Sequence, residues 1–306
     1  MTIHSGPDSP DLSAIAHQAM LDAGFVPDMP QSVSDELRVI KSASRSTASD
    51  SSARDLRSLL WSSIDNRQSR DLDQVEHAEK LPDGDVRLRI GIANVDALVH
   101  SGSAIDAHAA ENCTSVYTGI RTFSMLPEEL SEDMTSLVGG ADRSSVVIEM
   151  IVSDDGTVKE SEVYLARLHN YAKLSYDEVG AWLDQAGEMP PAVAGVPGME
   201  AQIRLQFTTA LRLRELRRLN GALELETIQA SPVLSNTGQV TDLAVTERNS
   251  ARGIIENFMI AANVSMAHFL EARKVISLRR VVRTPEQWPR IVEVASSLGE
   301  RLPEAG

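Results

Sequence analysis

Residues 62–92 read SSIDNRQSRDLDQVEHAEKLPDGDVRLRIGI, and this stretch decides the type of fold that the sequence predicts. From Val86 to Ile92 every second residue is apolar, with arginine or glycine between, which is the two-residue period of a half-buried β-strand. Pro82–Asp85 form a cluster of turn residues immediately before this strand. We therefore expect Leu59–Glu79 to form an antiparallel partner strand that ends at the turn.

The same arrangement returns further along the chain, where Val146–Val152 and Val158–Leu165 flank the turn residues Asp154–Gly156. In the second half, hydrophobic periodicity predicts three helices and two more strands. The helices are Tyr176–Ala186, Ala201–Asn220 and Ala251–Leu270, and the strands are Leu223–Ile228 and Val240–Val245. The sequence therefore predicts a mixed α/β (α+β) fold with a largely antiparallel sheet and flanking helices.

The first 54 residues differ in composition from the rest of the chain. Asp11–Gly24 has apolar residues at helical spacing and a glycine placed to end the helix. Lys41–Ala53 reads KSASRSTASDSSA, and a segment so rich in serine has little apolar surface to bury, which is typical of a mobile linker. We therefore predict an N-terminal helix and serine-rich linker over residues 1–54 and one folded domain over residues 55–306.

The composition excludes several classes of protein. With 306 residues, 42% hydrophobic and 24% charged, the chain fits a globular protein rather than a disordered or fibrous one. No apolar stretch approaches the roughly 20 residues that a membrane span needs. No signal-peptide pattern is found, so we expect a cytoplasmic location and no membrane partner. The single cysteine, Cys113, excludes an intramolecular disulfide and is expected to be buried. The formal net charge of −15 argues against a general nucleic-acid coat.

Three aspartates, Asp65, Asp71 and Asp73, lie within nine positions where a strand is predicted. Aspartate is a poor strand former, so their presence there weakens the local strand preference. Asp71 and Asp73 are two residues apart and would share one face of an extended chain, and a bend after Asp65 would bring the third carboxylate to the same point. Oxygen ligands without histidine or cysteine suit a hard cation, Mg²⁺ or Mn²⁺. The alternative is a solvated acidic turn.

This acidic segment resembles the catalytic signature of the ribonuclease II/ribonuclease R (RNB) family, I-D-x-x-x-x-[RKE]-D-[LFM]-D-D-A. Ile64-Asp65 and Arg70–Asp73 match the signature directly. Further family motifs are similar to segments that follow in the same order: Ile90–Val95, Gly102–Asp106, Thr114–Tyr117, Met125–Ser131, Ser136-Leu137, Asp142-Arg143, Lys173–Tyr176, Gly221–Leu223 and Ile255–Asn263. Because the matches are collinear over about residues 55–290, the resemblance implies an RNB-type catalytic domain over residues 55–306.

The resemblance also implies a function and a set of functional residues. The family hydrolyses single-stranded RNA from the 3′ end with divalent metal ions and releases nucleoside 5′-monophosphates. Asp65, Asp71 and Asp73 would then be catalytic residues that hold Mg²⁺, or Mn²⁺, with Gln74 as a fourth metal-facing residue. Tyr117, Glu256 and Arg143 match positions expected to contact RNA. For Glu256, the alternative is a capping or salt-bridged helix residue.

The sequence departs from the family signature at Gln74, where the signature has a fourth aspartate. A neutral amide removes one negative charge and should weaken metal binding. Glu76 is a potential substitute, because strand alternation places it on the same face as Gln74 if the strand is regular. The metal count therefore stays open.

A second departure concerns the segments that follow the last matched helix in the family. An arginine-rich segment of the type P-x-R-R-Y-x-D-L and a basic S1 domain do not occur before Gly306. This leaves three alternatives: a truncated chain, a partner chain that supplies the remainder, or an impaired RNA-binding or partner-binding remnant. Two arginine-rich strips, in Ala201–Asn220 and Arg273–Arg290, are either RNA contacts or solvated faces.

Overall fold

The computed structural model describes residues 11–44, 53–222, 229–235, 240–246, 248–278 and 285–303. The helices are α1 Leu12–Asp22, α2 Gln31–Ser44, α3 Ala104–Asn112, α4 Tyr176–Leu183, α5 Pro191–Ala194, α6 Met199–Leu219, α7 Ser250–Ala272 and α8 Trp288–Ser297. A 3₁₀ turn spans Val95–Ala97 and a π-helical segment spans Glu129–Met134. The strands are β1 Arg54–Asp55, β2 Trp61–Asp65, β3 Gln74–Lys80, β4 Val86–Ala93, β5 Val116–Tyr117, β6 Thr122–Phe123, β7 Asp142–Val152, β8 Val158–Ser175, β9 Gln229–Leu234 and β10 Val240–Thr246.

The main sheet is a ring of five paired strands. Its strand order is β1-β8-β2-β3-β4-β7, and a further pairing of β7 with β8 closes β8, β2, β3, β4 and β7 upon themselves. The pairs β2–β3, β3–β4, β4–β7 and β7–β8 are antiparallel, whereas β1 and β2 run parallel to β8. The prediction of a mixed fold with a largely antiparallel sheet is confirmed.

The two faces of this sheet bury two different clusters of side chains. The cluster within the ring contains Trp61, Leu72, Val75, Val147 and Leu168. Leu72 comes from residues 66–73, the loop between β2 and β3 that we call the acidic loop, and the others come from strands around the ring. The other face is covered by helices α4 to α7. The cluster between this face and the helices includes the alternating apolar residues of β4. Both faces of β4 are therefore buried, although its alternating pattern predicted a half-buried strand.

The predicted hairpins are present, but the first one is divided. β4 and its turn follow the prediction, whereas the expected partner strand Leu59–Glu79 is two strands, β2 and β3, separated by a loop over residues 66–73. The interruption lies where the aspartates occur. Aspartate disfavours a strand, and Asp71 and Asp73 are not buried in a way that would compensate for this. The second hairpin, β7–β8, is confirmed and is longer than predicted.

Most of the predicted helices and strands of the second half are confirmed. The three predicted helices correspond to α4, α6 and α7, and one predicted strand corresponds to β10. The predicted strand Leu223–Ile228 lies outside the described residues, and β10 pairs with β9 at residues 229–234 instead. Cys113 is exposed, contrary to expectation, because it follows the last residue of α3 with a left-handed backbone, φ 59°.

The N-terminal segment contains a helix that the sequence analysis did not predict. α2 buries Val33 and Leu37 against Val99, Ile105 and Leu130. A carboxylate oxygen of Glu36 also accepts a hydrogen bond from the backbone N–H of Ile105 at 2.9 Å. Lys41–Ser44, predicted as linker, belong to α2, and residues 45–52 lie outside the described residues. The division of the chain at residue 54 stays a prediction.

The chain divides into two compact units, Met1–Met266 and Ala267–Gly306. The first contains the main sheet and the clusters that bury its two faces, and the second contains the last turns of α7 and helix α8. None of the helices in the described part of the chain combines the length and apolar character of a membrane span.

Candidate active site

The loop that carries the aspartates is fixed to the neighbouring segment 136–137. The backbone N–H of Leu72 donates to the hydroxyl oxygen of Ser136 at 2.9 Å, and that hydroxyl donates to the carbonyl of Arg70 at 2.6 Å. The N–H of Leu137 donates to the carbonyl of Leu72 at 2.8 Å. Leu72 is also buried, so its two neighbours, Asp71 and Asp73, are held in place beside the ring of strands.

Asp65 ends β2 and begins the same loop. Its carboxylate accepts hydrogen bonds from the backbone N–H of Asn66 at 2.6 Å and from the hydroxyl of Ser69 at 2.9 Å. The ammonium of Lys173, on β8, donates to the carbonyls of Arg67 and Ser69. These bonds close the loop into a compact turn, so the bend after Asp65 that the sequence analysis required is present.

Asp73 lies close enough to Asp65 and Asp71 for both of their charges to act on its carboxyl group. The pKa of Asp73 is raised, first by desolvation within the surrounding protein and then by the negative charges of Asp65 and Asp71. The residue retains exposed area, yet enough protein surrounds the carboxyl group to remove part of its hydration. A shared concentration of negative charge of this kind is relieved by a cation.

Tyr117 lies directly beside these carboxylates. Its hydroxyl donates a hydrogen bond to a carboxylate oxygen of Asp71 at 2.5 Å. Desolvation and this bond to Asp71 raise the pKa of Tyr117 to about 12. The tyrosine is nevertheless 64% exposed, so its ring presents an aromatic surface to solvent next to the aspartates.

Glu76 is a fourth carboxylate that faces the same group from within the protein. It is 0% exposed, and neither carboxylate oxygen has a hydrogen-bond partner. Burial raises its pKa well above the ordinary value, and the charges of Asp73 and Asp65 raise it further. The side chain of Gln74 is also buried and donates to the carbonyl of Ile64 at 3.3 Å.

The donor set fits a hard divalent cation by its chemistry. Asp65, Asp71, Asp73 and Gln74 offer only oxygen ligands, and the unpartnered oxygens of Glu76 are buried polar atoms without compensation. Within the described ranges, however, no group of three or more His, Cys, Asp or Glu side chains has an arrangement that could hold a metal ion. The predicted ligand role of these residues therefore stays a prediction.

The other two residues predicted to contact RNA are engaged within the protein. Glu256, on α7, forms an ion pair with Arg248 at 2.7 Å and lines a cavity of about 410 Å³ between α6 and α7. The three aspartates are not among the lining residues of that cavity. Arg143 donates to the carbonyls of Ser136 at 3.0 Å and Asp133 at 2.9 Å, which fixes the segment that holds the acidic loop.

Several residues near the site were not assigned a role from the sequence. Tyr176 begins α4, and its pKa is raised by burial and then by the charges of Asp65 and Glu76. The guanidinium of Arg252, on α7, lies 4.5 Å from the centre of the Tyr176 ring and donates to the side-chain oxygen of Asn66 at 3.3 Å. No spacing in the sequence identifies this arginine, because α7 and the acidic loop are almost two hundred residues apart.

The predicted arginine strip of α6 is largely occupied by contacts within the protein. Arg204 stacks over Trp182, Arg212 pairs with Asp154 at 2.6 Å, and Arg217 donates to the side-chain oxygen of Asn257 at 2.8 Å. These contacts favour a structural role for that face. In the second strip, Arg279, Arg280 and Arg283 lie outside the described residues.

Comparison with known proteins reveals a consistent set of relatives. The model of the RNB domain matches residues 53–299. Ribonuclease R of Thermotoga maritima is 33% identical over 234 residues, which are 76% of this chain and 32% of that protein. Exoribonuclease 2 of Escherichia fergusonii is 33% identical over 217 residues, 71% of this chain and 33% of that protein. The chain thus spans about a third of the length of these relatives.

A solved structure has the same fold. Mycoplasma genitalium RNase R in complex with ribose methylated single-stranded RNA is similar with a TM-score of 0.83 and 24% sequence identity, over 97% of this chain and 46% of that chain.

Proposed function

Because this chain belongs to the RNB domain family, we propose that it is the catalytic portion of a 3′→5′ exoribonuclease. Under this proposal it hydrolyses single-stranded RNA and releases nucleoside 5′-monophosphates. The observation that carries the proposal is the position of Asp73, on whose carboxyl group the charges of Asp65 and Asp71 act, together with the exposed ring of Tyr117, whose hydroxyl is hydrogen-bonded to Asp71. The relatives named ribonuclease R and exoribonuclease 2 support the same activity.

We assign to the aspartates the binding of Mg²⁺, or Mn²⁺, at the scissile phosphate. When bound, such an ion polarises the phosphoryl oxygen, lowers the pKa of a water molecule and stabilises the leaving oxygen. The carboxylates neutralise and orient the ion, and the bonds from Ser136 and Lys173 hold the acidic loop in place. In the reaction, a bond forms between the water oxygen and phosphorus, the bond from phosphorus to the 3′ oxygen breaks, and the 3′ oxygen gains a proton.

The RNA contacts that we propose follow from the positions of an aromatic ring and two charged groups. The exposed face of Tyr117 would stack on a base near the 3′ end, an interaction worth ~1–3 kcal/mol. Arg252 reaches towards the acidic loop and would contact phosphate oxygens, which the carboxylates repel. Glu256 would accept a hydrogen bond from a ribose 2′-hydroxyl after exchanging its ion pair with Arg248, a contact that selects RNA over DNA.

The remaining features of the proposal concern the chain as a whole. We assign residues 55–306 to the RNB-type catalytic domain and residues 1–54 to an N-terminal extension. The RNA-binding segment that follows the catalytic domain in the family would be supplied by further chain or by a partner, and the location would be cytoplasmic. The competing function is a non-catalytic RNA-binding or partner-binding module with the same fold.

The proposal is tested with single-stranded RNA labelled at its 5′ end, incubated with the full chain and Mg²⁺. We expect progressive shortening from the 3′ end, abolished by Asp73→Asn with little change in RNA binding. Asp96→Asn is the matched control, because Asp96 is an exposed aspartate on the 3₁₀ turn. Equal inactivity of wild type and Asp73→Asn, with retained RNA binding, would favour the binding module instead.

The finer points need two additional measurements. Chromatography of the products distinguishes nucleoside 5′-monophosphates from longer fragments. A comparison of single-stranded with fully paired RNA measures the strand preference, which we expect to favour the single strand.

A further inference from the structure

We propose that the N-terminal helical segment, residues 11–44, positions Tyr117 for RNA binding by holding the opposite face of the β5–β6 hairpin. His17 and Asp28 are the positioning residues of this segment. The inference rests on the proposed function for the role of Tyr117. It assigns a role to residues that precede the part of the chain matched by the RNB domain model.

The first argument is that the hairpin is too small to hold Tyr117 by itself. It consists of two residue pairs, Val116 with Phe123 and Tyr117 with Thr122. A hairpin of this size is marginally stable in water unless it packs against other parts of the protein. Tyr117 is exposed, so the packing of its own ring adds little. Of the four paired residues Phe123 alone is buried, and it therefore anchors the hairpin.

The second argument is the geometry of the hairpin. Successive residues of a strand point to opposite faces, whereas paired residues of neighbouring strands share a face. Tyr117 is paired with Thr122, so its side chain lies on the face opposite to Phe123. One face is thus anchored through Phe123, and the other presents the Tyr117 hydroxyl to the carboxylate of Asp71 at 2.5 Å. A shift of Phe123 would therefore displace the Tyr117 ring from the aspartates.

The third argument is that the N-terminal segment contributes directly to the surroundings of Phe123. The ring of His17, on α1, lies 6.3 Å from the ring of Phe123, measured between their centres. The guanidinium of Arg121 lies over the same ring, 4.7 Å from its centre. One carboxylate oxygen of Asp28 is hydrogen-bonded to Nε2 of His17 at 2.8 Å, and the other lies 3.9 Å from Arg121. Asp28 therefore connects the two groups that flank Phe123.

The N-terminal segment is itself fixed to the domain, so it can support the hairpin. The side chain of Asn112, at the end of α3, donates to the carbonyl of Val26 at 3.0 Å and accepts from the N–H of Val26 at 2.8 Å. Further along the segment, α2 buries Val33 and Leu37. Asp28 lies between these two attachments, so its position is set by residues outside the hairpin.

Hydrogen exchange of the full chain without RNA, followed by mass spectrometry, measures how firmly the hairpin is held. We expect His17→Ala to speed exchange over residues 115–124 about tenfold, because it removes the ring that packs against Phe123. Gln18→Ala is the matched control, because Gln18 is an exposed residue of the same helix and bonds to Asp22. It should leave hairpin exchange within about twofold of wild type. Unchanged exchange in His17→Ala would overturn the inference.

A second variant keeps the test decisive if His17→Ala does not fold. Asp28→Asn removes, at an exposed position, the charge that connects the two groups flanking Phe123, and it should speed hairpin exchange about threefold. Asp22→Asn is its matched control, because Asp22 is an exposed aspartate of α1. Unchanged exchange in Asp28→Asn would then overturn the inference. An equal rise in the hairpin and in the β7–β8 pair would do the same, because the segment would then only support the fold.

RNA binding connects the hairpin to the proposed function. For a short single-stranded RNA without divalent ions, we expect His17→Ala to weaken binding about fivefold, because part of the stacking on Tyr117 is lost. In a Tyr117→Ala background the same substitution should change the affinity by less than about twofold, and additive losses would contradict a role through Tyr117.

The two measurements distinguish a failure of this inference from a failure of the proposed function. A hairpin loosened by His17→Ala in a chain that neither binds nor degrades RNA would refute the proposed function and leave the anchoring of the hairpin standing. A hairpin unchanged by His17→Ala in a chain that degrades RNA would overturn this inference alone.

Discussion

Ser136 allows the sharpest test of how the acidic loop is held. It is buried, its oxygen accepts from the N–H of Leu72, and its hydroxyl donates to the carbonyl of Arg70. Ser136→Ala removes both bonds. Each is worth about 0.5–1.5 kcal/mol net, and the buried N–H left without a partner adds to the loss, so we expect about 3 kcal/mol of destabilisation.

Urea unfolding at pH 7 measures this loss, with Ser145→Ala as the matched control. Ser145 is equally buried on β7, and its hydroxyl has no partner, so its removal should change the free energy of unfolding by less than about 0.5 kcal/mol. In the RNA assay, Ser136→Ala should lower kcat more than it raises KM, because a displaced loop misplaces Asp71 and Asp73 while the RNA-contacting surfaces remain. Equal stabilities of the two alanine variants would refute the reasoning.

Three further predictions concern the site and the core around it. Tyr117→Phe keeps the stacking ring but loses the bond to Asp71, worth about 1.5 kcal/mol, so we expect roughly tenfold lower kcat at unchanged RNA affinity in steady-state kinetics. Burial lowers the pKa of His77 from 6.5 to about 4, so its contribution to stability is complete above pH 6.5 and is lost as the pH falls towards 4. This contribution is about 3 kcal/mol, and urea unfolding should show a shallower acid loss in His77→Gln. Gly91→Ala places a methyl group 2.3 Å from the Leu168 side chain within the ring, and we expect about 1–3 kcal/mol of destabilisation by thermal unfolding.

Elements stabilised by their own regular pattern of side chains were predicted correctly, whereas elements that depend on residues distant in sequence were not. β4, β7, β8, α6 and α7 are predictable from local periodicity, because each buries a regular set of its own side chains. The prediction of one strand over residues 59–79 was wrong, because it continued the strand across the three aspartates. Aspartate disfavours a strand at its own position, and the chain forms a loop there. α2 was missed although Val33, Leu37 and Ile40 have helical spacing, and only the structure shows that this face is buried against Ile105 and Leu130, far along the chain.

For the site, the sequence by itself indicated the carboxylate chemistry that we propose, since Asp65, Asp71 and Asp73 match the spacing of one family signature and Tyr117 lies in a further motif of that family. Only the tertiary structure decided which other groups belong with them. Ser136 and Lys173 fix the acidic loop, and Arg252 approaches it from α7. Glu76 differs from an ordinary strand residue only by its complete burial without a partner. Such contacts join residues distant in sequence, and the desolvation of a charge exists only once the chain has packed around it.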